Sequence, residues 1–147
     1  MLDVKRSMGI LCAAGIVAGL AGCSLADNIH DKKAERLYGH TWVADEVAGQ
    51  PVADGTEPSL IVAADGKVSG DAGCNGYFGS VIVDGEAISF GNLGATQKTC
   101  PEPAMSQEHR LLQALDSTRG YRLVGGDLVL LDGAGVPLAR FHEKAGA

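Results

Sequence analysis

From Leu60 onward the chain alternates short apolar runs with turn-forming pairs. Leu60-Ile61-Val62 leads through Asp65-Gly66 into Lys67-Val68-Ser69, and Val81-Ile82-Val83 leads through Asp84-Gly85 into Ala87-Ile88-Ser89-Phe90. Tyr121-Arg122-Leu123-Val124 leads through Gly125-Gly126 into Leu128-Val129-Leu130-Leu131, and Asp132-Gly133 with Gly135 precedes Val136–Phe141. Short runs rich in Val, Ile, Leu and aromatics fit strands, and Asp-Gly or Gly-Gly supplies the positive φ angles of tight hairpins. Seven or eight strands joined mostly by hairpins predict a sheet that curls or closes. One segment departs from this rhythm. Between Pro103 and Thr118, Met105, Leu111, Leu112 and Leu115 recur at helical spacing, with Ser106, Gln107, Glu108, His109, Arg110 and Gln113 as the polar positions. Pro101 and Pro103 stand before or at a first turn, and Gly120 reads as the stop. The fold class is α+β, mostly antiparallel β, with one inserted α-helix laid on the sheet.

Ser69 to Gly79 carries glycine at 70, 73, 76 and 79. Such spacing means a backbone that turns sharply or is closely approached. A phosphate-cradling loop needs a following Lys-Ser/Thr and a helix start, and a collagen repeat needs proline; neither is present. The run reads as a bulged crossover pinned through Cys74.

The residues of this run resemble a known family. Gly73-Cys74-Asn75 is similar to the Gly-Cys-Asn signature of the META domain, whose members include HslJ-like lipoproteins. Leu37 to Trp42 resembles the family's opening Leu-x-Gly-x-x-Trp, and Ser59-Leu60-Ile61 and Val68-Ser69-Gly70 its strands before the signature. Thr96 to Cys100 resembles Thr-x-x-x-Cys, Glu108 to Leu115 the start of its helix, and Leu128 to Phe141 the closing strands. The resemblance spans nearly the whole domain. It departs at Gly76, where many members carry arginine or another polar residue, and at Gln97-Lys98-Thr99, where a methionine-rich stretch is usual. It implies a small curled sheet or cracked barrel with one helix, like that of secretion pilotins. It brings no reaction, although some members are named for heat-shock induction.

At the N-terminus, Lys5 and Arg6 precede an apolar stretch from Met8 to Leu20, which ends in Leu20-Ala21-Gly22-Cys23. Basic, apolar and small residues followed by a cysteine are the layout of a bacterial lipoprotein signal, in which the thiol takes a thioether-linked diacylglycerol. An ordinary signal peptide cut near Ala21 is the rival. A helix over Met8–Leu20 rises only about 20 Å, short of a hydrocarbon core of roughly 30 Å. The expected organisation is a signal at 1–22, a lipidated tether at 23–36 and the META/HslJ-like domain at 37–142. Ser24 after the cysteine favours onward sorting in a host with two membranes, so the expected location is the outer membrane, facing the periplasm. Glu143–Ala147 reads as a frayed end.

Charge narrows the partners. Removing Lys5, Arg6 and Asp3 with the signal leaves 10 basic and 17 acidic residues, a formal charge of −7 against −6 for the whole chain. An acidic surface argues against nucleic acid and against anionic head groups. Of the four cysteines, Cys12 leaves with the signal and Cys23 takes the lipid. Cys74 and Cys100 remain in an oxidising compartment, where a disulfide is the default. Two unpaired structural thiols, a metal pair or a catalytic thiol are the alternatives.

A search for chemistry finds little. His30, His40, His109 and His142 lack metal-ligand spacing, and Cys-x-x-Cys and Gly-x-Ser-x-Gly are absent. Zinc on Cys74, Cys100 and His109, or a Cys74–His109 nucleophile pair, is conceivable only if the thiols stay free. Asp45 and Glu46, adjacent on a strand, point to opposite faces and read as solvated. No cofactor, metal or catalytic residue is expected. Trp42 reads first as core; of Tyr77 and Phe78 one faces in and one out. Asn75, Tyr77, Phe78 and Trp42 are the candidate contacts for a partner or ligand.

Two functions follow. One is a lipid-anchored, non-enzymatic module of the cell envelope that binds another envelope protein and supports stress tolerance. The other is a carrier for an apolar acyl ligand, held in a pocket lined by residues such as Phe90, Leu112, Leu115 and Val129.

Overall fold

The computed structural model of the chain describes residues 32–146. The signal segment, Cys23, His30 and residues 23–31 of the tether lie outside the described residues. A helical turn at 32–35 leads into β1 (Thr41–Val47), β2 (Gln50–Pro51), β3 (Ser59–Val62), β4 (Lys67–Asp71), β5 (Gly76–Asp84) and β6 (Ala87–Ala95). Helix α1 (Ala104–Ser117) follows, then β7 (Gly120–Val124), β8 (Asp127–Leu131) and β9 (Pro137–Glu143). The sheet runs β2-β1-β3-β4-β5-β6-β7-β8-β9, and β1 also pairs with β9, so the strands close into a ring with β2 as a stub on β1.

The ring is weakest between β6 and β7, which share the pair Ala87↔Gly120. Two hydrogen bonds support that junction, Ile88 N–H to Arg119 O at 3.2 Å and Tyr121 N–H to Glu86 O at 3.0 Å. There the sequence leaves the sheet to form α1, which packs against β6 and reaches β1 and β9. The result is a barrel with a crack and a helix beside it.

Strand alternation fills the interior. On β8, Leu128 and Leu130 are fully buried while Val129 faces outward. Trp42, Leu60, Ile88, Leu111, Leu115 and Phe141 join them in the core. Burying a Leu or Phe side chain is worth about 1.5–3 kcal/mol, and these interior positions supply the main drive to fold.

Four expectations are corrected. Asp45 and Glu46 do not point to opposite faces: β1 pairs Ala44↔Phe141 and then Glu46↔Arg140, so a bulge at Asp45 resets the alternation and both carboxylates are exposed. The glycine run is a hairpin, not a crossover, because β4 and β5 are antiparallel neighbours that meet at Asp71↔Gly76. Gly120 opens β7; α1 ends where Thr118 turns extended and its hydroxyl donates to Ala114 O at 2.7 Å. The C-terminal end is paired: β9 runs through His142 and Glu143, and Lys144 N–H donates to Thr41 O at 2.8 Å.

The glycines of the run are not equivalent. A Cβ at Gly70 would lie 2.0 Å from Ser59 O and 2.6 Å from the Tyr77 hydroxyl, whereas one at Gly76 would meet nothing closer than 3.7 Å. Gly70 leaves the path along which the Tyr77 hydroxyl donates to Ser59 O at 2.7 Å. Gly70→Ala is therefore expected to lower stability by about 3 kcal/mol or to prevent folding, as overpacking with backbone shift does. Gly76→Ala is expected to change it by less than about 1 kcal/mol. Urea denaturation of the two variants checks the contrast.

Candidate functional site

The Gly-Cys-Asn residues occupy the turn between β4 and β5, against α1 and the segment that follows β6. Ala72 N–H donates to Asn75 O at 2.8 Å, and Gly73 N–H donates to Asp71 Oδ1 at 2.6 Å. Gly73 has φ +102°, and a Cβ there would fall 2.4 Å from Gln107 Nε2. Only glycine fits both the conformation and the space.

Asn75 is 1% exposed and its amide is fully used. Nδ2 donates to Glu108 Oε1 and Oε2, each at 3.0 Å, and to Lys98 O at 3.0 Å. Oδ1 accepts the Thr96 hydroxyl at 2.9 Å and Lys98 N–H at 2.7 Å. The Asn75 backbone N–H adds a bond to Glu108 Oε2 at 2.8 Å. One amide thus joins the turn, the helix and the 96–98 segment. The Cys74–Cys100 disulfide, with Cα atoms 5.9 Å apart, ties the turn to that segment a second time. Its partners are 26 positions apart, and closing such a loop stabilises by about 3.5 kcal/mol in the chain-entropy account. With the thiols bonded to each other, neither is a zinc ligand or a nucleophile beside His109.

Gln107 and Glu108 correct the expected polar face of α1. Both are buried, together with Leu111, Ala114 and Leu115. Gln107 Nε2 donates to Thr56 Oγ1 at 2.9 Å and its Oε1 accepts Ala53 N–H, tying the loop after β2 to the helix. The signal was in the spacing. Positions 107, 108, 111, 114 and 115 form one helical stripe, and a polar group on a buried stripe needs a partner.

Of the candidate contacts, three are internal. Asn75 is consumed as above. Trp42 is 2% exposed and its Nε1–H donates to Leu37 O at 3.1 Å. Tyr77 is 2% exposed, and burial, with the negative charge of Asp71, pushes its phenol far above the ordinary tyrosine range. Phe78 alone is presented to solvent, 60% exposed, with its ring lying over Gly94. Of the four residues proposed to line an acyl pocket, Phe90 and Leu115 are core, Leu112 packs at the core's edge, and Val129 lines an open outer cleft with Arg122 and Arg140. Val129 is thus on the other side of the sheet from the three that meet in the core.

The remaining histidines sit at the seam of β1 and β9. His40 Nδ1 lies 2.7 Å from Glu143 Oε1, and His142 Nδ1 lies 2.9 Å from Asp45 Oδ1. His40 also stands edge-on to Trp42, with ring centres 6.1 Å apart. Such solvent-accessible pairs contribute little to stability. At the start of α1, Ser106 donates from its hydroxyl and its N–H to Glu102, which holds that carboxyl below the usual range.

Asn75→Ala is expected to cost about 3 kcal/mol, because the Glu108 carboxylate loses donors while still buried. Asn75→Asp sets a second carboxylate against Glu108. It is expected to cost more than the alanine variant, through like-charge repulsion in a buried site. Glu108→Gln keeps one acceptor oxygen and is expected to cost about 1 kcal/mol. Urea denaturation at neutral pH orders the three.

Comparison with known proteins agrees with this architecture. No curated protein matches the chain. Among solved structures, a protein from Burkholderia xenovorans, determined by NMR, superposes with TM-score 0.58 at 25% identity, covering 97% of this chain and 100% of its own. A second NMR structure gives TM-score 0.59 at 22% identity, covering 73% and 92%. A duf4847 family protein from Bacteroides vulgatus gives TM-score 0.55 at 18% identity, covering 77% and 98%. The META domain family matches residues 35–145, which include the barrel, the helix and the Gly-Cys-Asn turn, and the chain belongs to that family.

Proposed function

We propose that this chain is a lipid-anchored, non-enzymatic interaction module of the cell envelope, linked to envelope integrity or stress tolerance. The anchor is read from Leu20-Ala21-Gly22-Cys23 after an apolar stretch, with Cys23 as the acyl acceptor and the membrane as the first partner. In a host with two membranes, Ser24 supports sorting to the outer membrane, with the domain in the periplasm. Thioether-linked diacylglycerol with a further acyl chain exceeds the marginal binding of one myristoyl group, so the anchoring is stable.

The observation that carries the non-enzymatic reading is the commitment of the signature. Asn75 spends its side chain on Glu108, Thr96 and Lys98, and Cys74 is bonded to Cys100. These side chains hold a surface in shape rather than meet a substrate. What is left for partners is the outer face of the strands, where another envelope protein would bind. The alternative, a carrier of an acyl ligand, gains little support, because Phe90 and Leu115 fill the core with Leu112 at its edge, and Val129 lies outside it.

In a host with two membranes, Cys23→Ala is expected to abolish incorporation of labelled palmitate and to move the protein from the membrane fraction to the soluble periplasm. Label retained by that variant overturns the anchor. Crosslinking of the wild-type protein in intact cells is expected to trap an envelope protein, and substrate turnover by the purified domain overturns the non-enzymatic reading.

A further inference from the structure

Among the described residues the most exposed large apolar side chains are Ile82 at 71% and Phe78 at 60%. Both lie on β5, and with Ser80 between them they project from its outer face. Their cross-strand neighbours are small. Ser69 stands opposite Phe78 on β4, and Gly94, Gly91 and Ser89 stand opposite Phe78, Ser80 and Ile82 on β6. Two bulky apolar groups therefore rise from a floor of serine and glycine, about 14 Å apart along the strand. Charges of both signs flank them: Lys67, paired with Asp65 at 3.0 Å, is opposite Ser80, exposed Asp71 and Asp84 stand at the two ends, and Arg119, which donates to Asp116 O and Thr118 O, lines a shallow cleft of ≈ 240 Å³ with Ile82, Asp84 and Ser89.

The chain enters the domain at the same end. Lys33 pairs with Glu86 in the turn between β5 and β6, just beyond Asp84. Ten residue steps separate Lys33 from Cys23, a reach of at most about 35 Å. An acyl chain on Cys23 would hold the β5–β6 turn within that distance of the bilayer. The domain could then lie on its β5 side without straining the tether.

We propose that the outer face of β5, from Phe78 to Ile82, is the surface on which the domain rests on the bilayer that holds its anchor. The inference rests on the acyl anchor proposed above. Phe78 and Ile82 enter the head-group boundary, while Lys67, whose exposed pairing with Asp65 is weak, extends to the phosphates. Two side chains bind less than even a single myristoyl group, so the free domain stays in solution; the tether raises the local concentration of bilayer enough for the face to settle. Docking also orients the molecule. β9 lies four strands from β5 in either direction around the ring, so the cleft of Arg122, Val129 and Arg140 on β7–β9 is turned toward the periplasm.

The test replaces residues 1–23 by a histidine tag and mounts the domain on phosphatidylcholine vesicles that carry nickel-chelating lipid and brominated acyl chains. Tryptophan is placed by F78W, I82W or V124W, with buried Trp42 as a constant background. Emission from the F78W and I82W variants is expected to be quenched well beyond that background, and emission from V124W is not. Release by imidazole should return all three to the same level. As a second readout, the F78S/I82S double variant should leave the vesicles several-fold faster than the parent on adding imidazole. Equal quenching at all three positions, no quenching, or equal release rates overturn the proposal. So does a concentration-dependent emission shift of I82W without vesicles, which would assign the face to a second copy of the chain. The tag supplies the anchor, so these results stand apart from the fate of Cys23: retained palmitate in Cys23→Ala would overturn the anchor, not the docking.

Discussion

The buried amide of Asn75 is the joint on which the rest of the structure depends. A barrel whose sixth and seventh strands barely touch needs something else to hold the intervening segment in place. Asn75 does this by donating to Glu108 on the helix and accepting from Thr96 and Lys98 on the approach to it. Inside a low-dielectric interior such bonds are strong when complete and costly when broken, so the network specifies one position for the helix. The disulfide from the neighbouring Cys74 restrains the same segment covalently. Gln107 extends the arrangement by fixing the loop after β2 to the same helical stripe.

This joint explains the glycines around it. Gly73 is required by its left-handed backbone and by the closeness of Gln107, while Gly70 opens the path between Tyr77 and Ser59 across β4. The turn has little freedom left and little polar surface to offer. The residues that look most like chemistry in the sequence are those most deeply built into the scaffold. A functional surface must then be sought on the outside of the strands.

That outside is uneven. Closure through β1 and β9 removes most free strand edges, and the short β2 and α1 occupy the places where edges would otherwise stand exposed. The bulge at Asp45 turns two adjacent carboxylates outward beside the histidines of the seam. Across the ring, β5 carries Phe78 and Ile82 above serine and glycine, near Lys33, where the chain enters the domain.

The sequence by itself determined the element order. The Asp-Gly and Gly-Gly turns located most hairpins, the leucine spacing located the helix to within a residue of its ends, and alternation separated Tyr77 from Phe78. These are local properties, set by allowed φ angles and by side-chain periods of 2 and 3.6. The short β2, the bulge at Asp45 and the capping of the helix by Thr118 in place of Gly120 were not legible, because each depends on what the neighbouring strand or turn provides. Tertiary structure alone decided the site. The helical period put Gln107 and Glu108 on the buried stripe, but only the Asn75 turn and the Ala53–Thr56 loop, distant in sequence, supply the donors and acceptors that make burial tolerable. Trp42 is core, as first read, while Asn75 moved from candidate contact to core for the same reason: whether a polar group faces water or a partner inside the protein depends on chain segments that meet only on folding.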